Sequence, residues 1–170
     1  RRSSSRSDIR ILKNHAGKCS IDFFTVPTAT FNILFVLVIL RHCRRKVVHF
    51  NVTSNPSAQW TAQQVVEAFP WDTAPKYLMR HRDSIYGVFF LNRVKNMGTK
   101  KWYRPCEALG QNPFIERMIG SIWRECTDRV IVLNEAHLTS ILRSYFDYYH
   151  NDRTHLSLEK DPPDGRPIQF

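Results

Sequence analysis

The run FNILFVLVIL, Phe31 to Leu40, constrains the fold of this chain more than any other segment. Its ten residues fall well short of the roughly 20 that a helix needs to cross a bilayer, so the run reads as a strand buried on both faces. Thirty residues of mixed polarity precede it, which does not fit a signal peptide. Extended stretches flank it on either side. Cys19 to Val26 and Lys46 to Thr53 contain β-branched and aromatic residues, and short polar turns separate the three segments, which predicts an antiparallel meander.

Helical signals follow. In NPSAQWTAQQVVEAFP, Asn55 and Ser57 offer caps, Trp60, Gln64, Val65 and Ala68 recur at helical spacing, and Pro70 ends the run. Lys76 to Met79 reads as a short strand, Tyr86 to Asn96 as a helix closed by Gly98, and Thr99 to Tyr103 as a last strand. A helix is expected from about Asn112 to Cys126. Another spans Glu135 to His150, with Leu138, Ile141, Leu142, Tyr145 and Tyr149 on one face. That face could cover the sheet or meet another copy of the chain. Periodicity alone gives a mixed α/β class.

The 170 residues suffice for one domain with a core of its own. Lys and Arg exceed Asp and Glu by 25 to 15, and the net charge of +10 favours an anionic partner without choosing among DNA, RNA and membrane. Cys19, Cys43, Cys106 and Cys126 are scattered without a CxxC, so reduced thiols are expected. His15 and Cys19 stand four apart, but two ligands do not complete a tetrahedral metal site. Residues 1–18, opening RRSSSRS, are expected to form a flexible basic arm, residues 19–150 the core, and residues 151–170 its C-terminal tail.

Two acids stand out by position. Asp22 lies mid-strand between Ile21 and Phe23, where a carboxylate is costly unless it is solvated, paired or bound to metal. By itself it could equally be an edge-strand or turn residue. Glu116 lies on the expected helix beside an apolar stripe of Ile115, Ile119, Ile122 and Cys126. With Gly120 and Arg124 it forms a second stripe, on which small Gly120 would admit a bulky partner. Arg124 and nearby Arg117 could meet phosphates there. The same pattern also describes a solvated face with a helix salt bridge.

The segments RHRDSIYG, Arg80 to Gly87, and QNPFIERMIGSIWREC, Gln111 to Cys126, resemble the regions around the second and third carboxylates of DDE transposases and retroviral-type integrases. Asp22, in CSIDFFTVPT, stands where the first carboxylate is expected. Positions 81 and 116 differ by 35, leaving 34 residues between them, as in the DD(34 or 35)E type. VIVLNEAHL, Val130 to Leu138, and YYHNDRTHLSLEKDPP, Tyr148 to Pro163, are similar to the endings of bacterial insertion-sequence transposases. The likeness covers roughly Ser20 to Arg166.

The resemblance implies a ribonuclease H-like fold, with a mixed five-stranded sheet flanked by helices, and metal-dependent DNA strand cleavage and transfer. It implies Asp22, His81 and Glu116 as the catalytic set, Asp22 and Glu116 as ligands of two Mg2+ or Mn2+ ions, and Lys100, Lys101, Arg117 and Arg124 as DNA contacts. DNA and a dimer or higher homo-oligomer are the expected partners, with no membrane, in a bacterial cytoplasm at the nucleoid. His81 departs from the pattern, because imidazole is a poor ligand for magnesium. Asp83 lies ~6.6 Å further along a strand and should not substitute. Trp123 replaces a basic residue, and ALG before Gln111 replaces a usual Ser-Pro-Trp. A catalytically dead, DNA-binding or self-associating domain is therefore the alternative function.

Overall fold

The computed structural model describes residues 17–70, 73–80, 86–101, 113–155, 158 and 161–165. The meander forms as expected. β1 (Lys18–Pro27), β2 (Ile33–Arg41) and β3 (Lys46–Thr53) pair antiparallel in sequence order. β4 (Tyr77–Arg80) then adds parallel to β1, and β5 (Lys100–Lys101) parallel to β4, giving the order β3-β2-β1-β4-β5. Four strands make the body of this mixed sheet, and the fifth is a two-residue stub.

The apolar run sits at the heart of the sheet, but it starts two residues later than the sequence suggested. Thr28 Oγ1 accepts hydrogen bonds around the β1–β2 turn, from Asn32 N at 3.1 Å, and Phe31 takes a left-handed φ of 62° with its ring 90% exposed. The hydroxyl and amide side chains thus win Phe31 for the turn.

Among the described residues four helices cover the sheet. α1 (Ala58–Ala68) is capped by Ser57, whose hydroxyl accepts from Trp60 N at 3.1 Å, and α2 is Val88–Asn96. Both pack on the face formed by Cys19, Ile21, Leu37 and Ile39. α3 (Pro113–Glu125) and α4 (Glu135–Asn151) pack on the other face, where Phe24, Val36, Val38 and Leu40 meet Ile115, Ile119, Ile122, Leu138 and Leu142. The aromatic stripe of α4 therefore covers the sheet. β2 contributes side chains to both layers, which explains why it has no polar face.

The C-terminal segment closes the corner between β2 and β3. Arg44 Nε and Nη2 donate to the carbonyls of Pro163 and Pro162 at 2.6 and 3.1 Å, and Lys46 pairs with Asp164 at 2.6 Å. β1 begins at Lys18, inside the segment expected to be arm, and residues 1–16 lie outside the described residues.

Candidate active site

Asp22 occupies β1, the middle strand. Strand alternation puts it on the face of Ser20, Phe24 and Val26, the layer of α3 and α4, while Ile21 faces the opposite layer. It is 8% exposed, and its Oδ1 accepts from Phe23 N at 2.9 Å. Among the described residues the last pair between β1 and β4 is Ile21 with Arg80, and Asp22 is the next residue of β1. Crevices at the carboxyl ends of parallel strands are where open α/β sheets place their ligands.

Glu116 comes from the first turn of α3 and is half-buried. Two ring contacts fix how this helix lies along β1. Phe114, on one flank, packs at 5.0 Å against His42, which is itself hydrogen-bonded to Ser20 of β1. Trp123 meets Phe24 edge-on at 6.3 Å. Glu116 and Trp123 are seven residues apart, two helical turns, so they share a flank. From Trp123 back to Glu116 is ~10 Å along the helix. From Phe24 back to Asp22 is ~7 Å along the strand in the same direction. Asp22 thus lies on the face of the sheet that α3 covers, and Glu116 lies on a flank of that helix.

Other expectations fare differently. Gly120 does not leave room for a partner, because the Arg124 side chain folds back over it, and a Cβ there would stand 3.2 Å from Arg124 Nη1. Arg117 and Arg124 are both exposed and seven residues apart on the outer side of α3. The Lys100–Lys101 backbone forms the edge strand β5. His81, Asp83 and the loop before Asn112 lie outside the described residues, as do His15 and Cys106. Among the described residues no group of three His, Cys, Asp or Glu side chains could hold a metal ion. Two carboxylates from separate elements are nonetheless the oxygen donors that a hard divalent cation takes.

Residues 102–163 match the integrase core domain family. The fold agrees with solved integrase cores. The HTLV-2 integrase catalytic core domain in complex with magnesium, in its trimeric form, superposes with a TM-score of 0.60 at 10% identity, covering 81% of this chain and 87% of that one. The chain has the fold of an integrase catalytic core. A simian T-cell lymphotropic virus intasome in complex with the PP2A regulatory subunit B56 gamma is similar at a TM-score of 0.63 and 9% identity, over 81% of this chain. This chain spans only 49% of that one. No curated protein matches the sequence.

Within this fold the structure reveals a tie between two motifs that the sequence left without a role. Arg153, from NDRTH, grips Glu125, from WREC, through Nε to Oε2 at 2.9 Å and Nη2 to Oε1 at 2.7 Å. Its Nη2 also donates to Ser121 Oγ at 3.1 Å, and Tyr145 OH donates to Glu125 Oε2 at 3.0 Å. The Arg153 bond, foremost, holds the Glu125 carboxyl below its usual range, and burial pushes the Tyr145 phenol above its own. Beside this clasp, burial first and then Arg153 and Arg45 lower His155 to about 4, so it is neutral. The clasp fastens the outer flank of α3 to the end of α4, and so fixes the helix that carries Glu116. Its only sequence signal was two opposite charges inside separate motifs, 28 residues apart.

Proposed function

We propose that this chain is the catalytic core of a DNA strand-cleaving and strand-joining enzyme of the transposase and integrase type. Asp22 and Glu116 act as the metal-holding carboxylates, and His81 stands in the second carboxylate's position. One observation supports the reading: a buried carboxylate stands on the middle strand and a half-buried one on a helix that packs on the same face of the sheet. The β4 register adds support, since Asp22 and His81 follow the paired residues Ile21 and Arg80 in the sequence.

Bound magnesium or manganese would supply charge for the attacking and leaving oxygens of a phosphodiester. The chain's own part is to fix the ligands. β1 holds Asp22 rigidly between its neighbours, and the Arg153 clasp with the Phe114 and Trp123 contacts holds Glu116 on its flank. Arg117 and Arg124 offer guanidinium groups to DNA phosphates, with Lys100 and Lys101 further contacts. DNA is the substrate in this account and a homo-oligomer the working form. The HTLV-2 core domain has been solved in dimeric and trimeric forms.

His81 favours a second reading, an integrase-type domain that binds DNA without cutting it. One assay separates the two: cleavage of a labelled duplex by the natural protein, by His81→Asp, and by His81→Asp combined with Glu116→Gln. We expect weak or no cleavage with magnesium by the natural protein, a gain with His81→Asp, and its loss in the double variant. A natural protein as active as His81→Asp would show that position 81 is not a metal ligand. A double variant that keeps the gain would remove Glu116 from the catalytic set. If His81→Asp binds DNA and still does not cut, the non-catalytic reading stands.

A further inference from the structure

Val47, the second residue of β3, is buried, and its N–H donates to the Nε2 ring nitrogen of His150 at 3.1 Å. The β2–β3 ladder shifts register beside it, between Ile39 and Leu40. His150 lies in the last turn of α4, so one side-chain bond ties the end of that helix to the start of the strand. The bond also fixes the state of the ring. An imidazole nitrogen accepts an N–H only through its lone pair, and both ring nitrogens of the imidazolium are donors. A proton on His150 therefore sets two donors face to face and leaves the Val47 N–H without its partner.

Another partner for the ring stands beside it. The Asp164 side chain pairs with Lys46 at 2.6 Å, and Asp164 N donates to the His150 carbonyl at 3.1 Å, which holds Asp164 against the last turn of α4. The charged groups facing the ring are Asp164 of the C-terminal segment, Lys46 of β3 and Asp147 on α4 itself, with the Tyr149 ring edge-on at 5.7 Å. Burial, foremost, holds His150 below its ordinary value; Asp164 and Asp147 pull it up, and Lys46 pushes it down. The Lys46 hydrogen bond in turn keeps the Asp164 carboxyl below its usual range, so Asp164 stays charged while His150 titrates.

We propose that His150 is a proton-operated latch: neutral, it ties Val47 to the end of α4; protonated, its ring leaves Val47 and takes the Asp164 carboxylate from Lys46. The latch stands at the foot of the β2–β3 corner, where Arg44 and Arg45 hold left-handed φ values of 57° and 53°, a conformation unfavourable without glycine. Arg45 lies over the Phe114 ring at 5.2 Å, in the first turn of α3 and two residues before Glu116. Opening the latch thus loosens the corner that abuts the helix of Glu116. The latch needs no DNA and stands whether or not the chain cuts it. Because the folded-state value lies below the ordinary 6.5, the tie contributes fully above 6.5 and is lost as pH falls through the folded value.

The test follows the Val47 amide and the His150 ring by NMR in the natural protein, His150→Gln and Asp164→Asn, between about pH 8 and about pH 5. Glutamine offers an oxygen acceptor that does not titrate, and Asp164 is exposed, so the fold should survive both changes. We expect the ring to titrate below 6.5, the exchange protection of the Val47 amide to fall about threefold or more with the same midpoint, and that fall to vanish in His150→Gln. Asp164→Asn should lower the midpoint, because the carboxylate that favours the imidazolium is gone. His155, at about 4, titrates below this range. Ring protonation without loss at Val47, a midpoint at or above 6.5, or the same loss in His150→Gln would overturn the latch. A midpoint unmoved in Asp164→Asn would overturn the exchange of partners. Should His150→Gln not fold, the coincidence or separation of the two midpoints in the natural protein decides alone.

Discussion

Replacing Arg153 with Met removes the guanidinium while keeping an apolar stem near the Tyr149 ring, which the guanidinium carbon overlies at 5.6 Å. The loss comprises two hydrogen bonds to the Glu125 carboxylate and one to Ser121 Oγ. Hydrogen bonds to charged groups contribute about 1.5–3 kcal/mol each, but these share one ion pair. The side chains are 22% and 35% exposed, so water recovers part of the loss. A net cost of about 2–3 kcal/mol follows. For a domain of this size that is a fall in Tm of about 5–10 °C. Thermal unfolding of the natural protein, Arg153→Met, Glu125→Gln and the double variant closes a cycle whose coupling should be about 1–2 kcal/mol. The pH dependence follows from the lowered Glu125 pKa. The stabilisation is fully present above the ordinary carboxyl value of 4.5 and is lost as pH falls through the folded value. The gap between natural protein and Arg153→Met should therefore shrink in acid. Additive single effects, or a gap unchanged in acid, would refute the clasp.

Leu142→Ala should cost about 3–4 kcal/mol in denaturant unfolding, because the side chain is 0% exposed where α4 meets the sheet; a loss below about 1 kcal/mol would contradict the packing described. Duplex DNA should bind with little sequence preference and lose affinity steeply between two salt concentrations, as counterion release by a chain of net charge +10 requires; affinity indifferent to salt would count against phosphate contacts. Arg117→Gln with Arg124→Gln should flatten that salt slope, and an unchanged slope would remove α3 from the DNA surface.

The layers of this fold were legible in the sequence because burial leaves periodic marks. A largely apolar run between two β-branched stretches gave the central meander, and Ile115, Ile119 and Ile122 told which side of α3 faces the sheet. Phe31 misled because aromatic content favours a strand, whereas Thr28 and Asn32 bond around the turn and take it out of one. Gly120 misled because a missing side chain says nothing about what fills the space, here Arg124 of the same helix. The clasp of Glu125 with Arg153 and Ser121 was not legible, since its partners come from segments that only folding brings together.

The account stands on Asp22 and Glu116 sharing one cation. Crystals of the His81→Asp variant soaked in manganese give the direct measurement, through anomalous scattering. The expected result is an ion bound by the Asp22 carboxylate, with the carboxylate introduced at position 81 beside it and Glu116 facing it. A manganese-free site in which Asp22 and Glu116 point away from each other would contradict the account.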